Sequence, residues 1–125
     1  MSDQSSPASP AAALPPDRLS RVLSTITEQA RRTNLTRTAE LGAALDGAAD
    51  RGLDAVGWAA AERTAHQLAG SAGTFGFDGV SEIARSLERF FADAAATGSP
   101  DPVRLAEARA QLDRASSQLA DGIVL

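Results

Sequence analysis

Cysteine, tyrosine and lysine are absent from this chain, and histidine and tryptophan occur once each. Without cysteine there is neither a disulfide framework nor a thiolate metal site. A single histidine leaves a zinc site without its usual ligands. No apolar run approaches the ~20 residues of a membrane span, so no membrane partner is expected. The N-terminus has no basic stretch followed by an apolar one, which makes the cytoplasm the expected location. All twelve basic residues are arginine, they are interspersed with sixteen acidic ones, and the net charge is −4. With no basic stripe, and no tyrosine to stack on bases, nucleic acid is not expected as a partner. β-Branched residues are scattered and no run alternates apolar with polar, so there is no strand signal.

What the chain does contain is helical periodicity. Its 125 residues suit one domain with one hydrophobic core. Residues 1–14 are rich in Ser, Ala and Pro without periodicity, and read as a disordered tail ahead of a domain at 15–125. Pro15, Pro16 and Asp17 open a first helix. Leu19, Val22, Leu23, Ile26 and Ala30 form its apolar stripe, and Arg31 and Arg32 complement its C-terminal dipole. Asn34 or Thr36 then caps a second helix, with Leu41, Ala44, Leu45 and Ala48 on one face. Arg51 and Gly52 end it. Asp54 caps a third helix, which runs to about Gly73 or Thr74, and Gly76 makes the turn. Asp78 caps a fourth, whose stripe is Val80, Ile83, Ala84, Leu87, Phe90, Phe91 and Ala94. The stretch from Thr97 to Pro102 is a clear break. A last helix carries Leu105, Ala108, Leu112, Ala115 and Leu119 in a narrow seam. Phe75, Phe77, Phe90 and Phe91 are expected in the core, and Trp58 is expected to pack against the first helix. The fold class is therefore all-α: an antiparallel up-down four-helix bundle made by the last four helices, with an additional N-terminal helix across one end.

The third helix holds the lone histidine. Ala61, Ala65, Leu68 and Ala72 recur at spacings of four, three and four, which marks a buried face. At roughly 100° per residue, His66 lies about 120–130° from the centre of that face, so it points towards solvent or a groove edge. Ala59, Glu62, Ala69, Gly70 and Gly73 read as its neighbours, so the surface one turn towards the C-terminus is almost bare. Glycine inside a helix costs roughly 1 kcal/mol relative to alanine. A bare surface beside an exposed imidazole suits the approach of a second protein's active site. Gly73 fits close packing or a helix end better than access; Gly70 fits access. The glycines at 70, 73 and 76 do not make a phosphate loop, since no Lys-Ser/Thr follows and no strand precedes them. Neutral imidazole is a competent nucleophile around neutrality. Glu88 lies as far beyond the turn at Gly76 as His66 lies before it, to within a turn of helix. A hydrogen bond from His66 Nδ1–H to its carboxylate would leave the Nε2 lone pair facing outward. The plainer alternative is a solvated glutamate paired with Arg85. Arg63 and Gln67 flank His66, and a cation one turn away would offset negative charge on the ring.

These residues carry a resemblance. His66-x-Leu68-x-Gly70-Ser71-Ala72, then Gly76, then Leu87-Glu88, resembles the histidine phosphotransfer (HPt) domain of bacterial multistep phosphorelays, in motif from about Val56 to Glu88. The resemblance implies a phosphocarrier without a nucleotide site or cofactor of its own. His66 would accept a phosphoryl group from a receiver-domain aspartate, or from a hybrid histidine kinase, and pass it on. Glu88 would orient the imidazole, Arg63, Gln67, Ala69, Gly70 and Gly73 would form the docking and phosphate environment, and the receiver would bring Mg²⁺. The family often has a lysine three residues after the histidine; here that residue is Ala69. A rival is therefore an adaptor that docks a receiver or another helical protein without accepting phosphate. A helical dimerisation module built on the Leu105–Leu119 seam is a further alternative.

Overall fold

The structure, a computed structural model, describes residues 15–122. The expected tail at 1–14 and the last three residues of the expected domain lie outside the described residues. Among the described residues there are four α-helices and no strands: α1 (Pro16–Asp50), α2 (Ala55–Thr74), α3 (Asp78–Thr97) and α4 (Pro102–Asp121). Each packs against its neighbours in a closed ring, α1 on α2, α2 on α3, α3 on α4 and α4 on α1. Short connections make consecutive helices antiparallel.

The additional N-terminal helix does not exist as a separate element. The two expected helices are one continuous helix of 35 residues. Asn34 and Thr36 were the expected cap, and neither side chain serves as one. The Thr36 hydroxyl donates back to the Arg32 carbonyl, as threonines inside helices do. Asn34 is fully buried, and its Nδ2 donates to Ser71 Oγ on α2 at 3.1 Å. With no Gly or Pro near residue 34, nothing stops the helix there. Nor do Arg31 and Arg32 end it. Both donate to Glu28, and Arg31 also donates to the Leu119 carbonyl in the last turn of α4. The Arg31 hydrogen bonds, with help from Arg32, pull the Glu28 carboxyl from 4.5 down to about 2.

Because α1 meets the end of α4 near Arg31, its first fifteen residues run on for roughly 20 Å. The stripe expected to lie across one end of the bundle is instead open: Val22, Leu23 and Ile26 are 42%, 55% and 42% exposed.

The core lies between the other segments. Leu41 and Leu45 of α1, Ala61, Ala65, Leu68 and Ala72 of α2, Val80, Leu87 and Phe91 of α3, and Leu112 and Leu119 of α4 are buried. Trp58 is buried too, but its aromatic partners are Phe90 and Phe91 on α3, at ring-centre distances of 6.3 and 6.1 Å. The expected partnership with the first helix is thus replaced by an aromatic cluster on α3. Phe77 is in the core, and Phe75 packs partly buried at its edge.

The α2–α3 turn fixes the site. Gly76 adopts φ +85°, the left-handed conformation glycine favours. The Phe77 N–H reaches the Ala72 carbonyl at 2.8 Å and the Gly76 N–H the Gly73 carbonyl at 3.4 Å, which together close a Schellman motif. That motif drives Phe77 into the core, so Phe77 rather than Asp78 stands at the cap position of α3. Asp78 is its first helical residue, where its charge suits the dipole. Asp54 does cap α2, accepting from the Gly57 N–H at 2.8 Å.

Candidate functional site

His66 lies midway along α2, opposite the buried stripe, with a side chain 75% exposed. Glu88 lies midway along α3, and its side chain is 29% exposed. His66 Nδ1 and Glu88 Oε2 are 3.0 Å apart. An ionised carboxylate only accepts, so the shared proton sits on Nδ1 and the bond runs from Nδ1–H to Oε2. That tautomer leaves the Nε2 lone pair on the open side of the ring.

Two buried contacts hold the helices that carry this pair. Ser81 Oγ on α3 donates to the Ala69 carbonyl on α2 at 2.8 Å. A Cβ built on Gly73 would come within 3.2 Å of the same Ser81 oxygen, so the two helices approach closely at this level. On the other side of α2, Asn34 donates to Ser71 and accepts from Arg37 Nη1 at 2.8 Å. These bonds set the height and rotation of α2 against its neighbours. His66 and Glu88 thereby meet across an antiparallel hairpin.

The remaining sequence-derived candidates divide. Arg63, Gln67 and Gly70 are exposed on the His66 side. A Cβ on Gly70 would meet nothing within 4 Å, so the surface beside His66 is open there. Gly73 is exposed but crowded by Ser81, which matches its reading as a packing residue. Ala69 departs from expectation: it is 4% exposed and belongs to the buried side of α2. Its angular position, between His66 and the stripe, brings its Cβ against the interface rather than onto the open face. The depression next to Gly70 mixes Glu82 and Arg85, and Arg85 makes no ion pair with Glu88, whose partner is His66.

The sequence offers Asn34 only as a helix cap and does not single out Ser81, although a signal for the burial of Asn34 exists. Asn34, Thr38, Leu41 and Leu45 repeat the spacing of four, three and four seen at Ala61, Ala65, Leu68 and Ala72, and all eight are buried. Among the described residues no group of three or more His, Asp or Glu is arranged to hold a metal ion. No described helix is long and apolar enough to cross a membrane.

Comparison with known proteins gives a family for the chain. A family model described as the Hpt domain matches residues 16–121, which takes in all four helices. No curated protein and no solved structure matches the chain. Hpt domains take part in histidine phosphotransfer within phosphorelays, working with receiver domains and kinases as phosphocarriers rather than catalysts. The match covers most of the chain, and the described residues are all-helical: the protein belongs to the Hpt domain family.

Proposed function

We propose that His66 Nε2 accepts a phosphoryl group from a receiver-domain aspartate and later returns it to another. The observation that carries this reading is the exposed imidazole whose Nδ1–H is held by Glu88 at 3.0 Å. In the transfer the Nε2 lone pair attacks phosphorus in line. The Nε2–P bond forms, the O–P bond of the acyl phosphate breaks, and the aspartate leaves as a carboxylate. The ring gains a positive charge while Nδ1–H stays in place, and the Glu88 carboxylate offsets that charge. No proton has to move.

Phosphoryl transfer depends mainly on positioning and on charge stabilisation. This chain contributes the positioned nucleophile and an open approach over Gly70. Ala69 brings no cation, so Arg63 and the receiver, with the Mg²⁺ it would bring, provide the positive charge. A hybrid histidine kinase is the alternative donor, and the cytoplasm is where this reading places the relay. The adaptor reading draws on Ala69 alone. The same experiment separates the two: incubation with a phosphorylated receiver should label wild type with an acid-labile, base-stable phosphoryl group. His66→Gln should take no label and keep its helical circular dichroism. Label retained in His66→Gln would overturn the assignment of the acceptor, and an unlabelled wild type would favour the adaptor.

A further inference from the structure

His66 and Glu88 meet across antiparallel helices, 3.0 Å apart, and so stand level. From that pair Gly70 lies about 6 Å along α2 towards the turn at Gly76, and Arg85 about 4.5 Å along α3 in the same direction. Gly70 and Arg85 are therefore level too, one turn from the imidazole, and they line one depression of about 530 Å³. Arg85 is exposed, and at three residues before Glu88 it shares the face of α3 that carries Glu88 to His66. Gly70 puts no side chain into the depression, and even a Cβ there would meet nothing within 4 Å.

The charge of Arg85 is uncommitted. Arg21, Arg31, Arg32, Arg104 and Arg109 are each paired with a carboxylate. Among the described residues Arg85 is not, although Glu82 and Glu88 lie one turn to either side of it. Glu88 is engaged by His66. Glu82 and Asp78 line the same depression, but each stands further along α3 from His66 than Arg85 does. A phosphoryl group brings about two negative charges. On His66 it would join Glu88 and, one turn back on α2, Glu62. The cation that α2 itself offers, Arg63, lies on that same far side, and Ala69 is buried and neutral. On the Gly70 side the cation nearest to His66 along the helices is Arg85. A guanidinium presents paired N–H donors that match two phosphoryl oxygens.

We propose that Arg85 binds the phosphoryl group on His66, its guanidinium reaching over the bare surface at Gly70 to donate to the phosphoryl oxygens. This rests on His66 being the phosphoacceptor, and it adds Arg85 to Arg63 as a source of positive charge within the chain.

Phosphoramidate loads the histidine without a receiver: the Nε2–P bond forms, the P–N bond of phosphoramidate breaks and ammonia leaves. The phosphoryl group is then titrated by its ³¹P chemical shift. Removing a cation that favours the dianion raises the pH at which the group takes up its second proton. Arg85→Gln should raise it by about 0.2–0.7 pH units, and Arg85→Lys should recover part of the difference. Arg89→Gln is the control. It removes the same charge from the next turn of α3, at a residue that lines a different depression with Asp93 and Arg104, and should leave the titration as in wild type. With a receiver as partner, Arg85→Gln should move the equilibrium division of phosphate about two- to fivefold towards the receiver aspartate. A titration in Arg85→Gln identical to wild type would overturn the proposal, and so would an equal displacement in Arg89→Gln. Neither result touches the assignment of His66, which fails separately if a phosphorylated receiver leaves wild type unlabelled.

Discussion

Asn34 and His66 each reach across a helix interface to a partner at nearly the same distance, 3.1 Å to Ser71 and 3.0 Å to Glu88. Their settings are opposite. Asn34 is fully buried, both ends of its amide are engaged, and nothing but protein touches it. The His66 side chain is 75% exposed, and one of its two ring nitrogens is engaged by the protein. Similar hydrogen bonds therefore do different work. In a buried setting an unmade bond is costly, so Asn34 specifies how α1 and α2 align. At the surface water replaces a lost partner cheaply, so the Glu88 bond adds little to stability and instead fixes which nitrogen stays free.

The contrast is sharpest when each side is broken alone. The largest expected effect on stability is at the buried contact. Asn34→Ala leaves Ser71 without its donor and Arg37 without its acceptor, and should cost about 1–3 kcal/mol. For a domain of this size each kcal/mol lowers Tm by roughly 4–8 °C. Thermal unfolding followed by circular dichroism checks this, while phosphotransfer per folded molecule should match wild type. A Tm within 2 °C of wild type would show that the buried amide is not needed to align the helices.

The opposite pattern should follow at Glu88. An orienting partner behind a functional histidine is commonly worth a factor of 10–100. Glu88→Ala should slow phosphotransfer by about tenfold and leave Tm nearly unchanged, since exposed pairs contribute ~0.2–1 kcal/mol. Glu88→Gln keeps an oxygen that accepts from Nδ1–H and should recover most of the rate. Equal losses in the alanine and glutamine variants would mean that charge, not orientation, is the contribution of Glu88.

The same pair of residues shows how far the sequence could be read. The repeat at Ala61, Ala65, Leu68 and Ala72 is uniformly apolar, so it marked the buried face of α2 and placed His66 opposite it. The matching repeat at Asn34, Thr38, Leu41 and Leu45 begins with two polar residues and was hidden for that reason. Asn and Thr bond equally well to their own backbone at a helix start and to a partner across an interface. Composition cannot separate the two, so from sequence one long helix reads as two. Ala69 illustrates a different ambiguity. It stands between the open and buried faces, and only the close approach of α3 at Gly73 and Ser81 turns it inward. Glu88 was legible because a hairpin with a short turn has a register that can be counted.

The smallest expected effects lie at two glycines one turn apart, and they sharpen the comparison between open and packed surface. A Cβ on Gly70 would meet nothing, whereas one on Gly73 would press on Ser81 Oγ at 3.2 Å. Replacing glycine by alanine inside a helix gains up to about 1 kcal/mol where space allows. Gly70→Ala should therefore raise Tm by a few degrees. Gly73→Ala should gain less or turn destabilising, because Ser81 is anchored to the Ala69 carbonyl and cannot yield without losing that bond. Gly73→Ala combined with Ser81→Ala separates the crowding from the propensity. Removing the serine oxygen should relieve the added methyl, so the double variant should be more stable than the sum of the two single changes. Additive effects would mean that Ser81 does not limit the approach of the helices. Gly70→Gln completes the pair: it should remain folded yet slow phosphotransfer, because its longer side chain covers the approach to Nε2. Unaltered kinetics in that variant would show that the open surface beside His66 is not the route the phosphoryl donor takes.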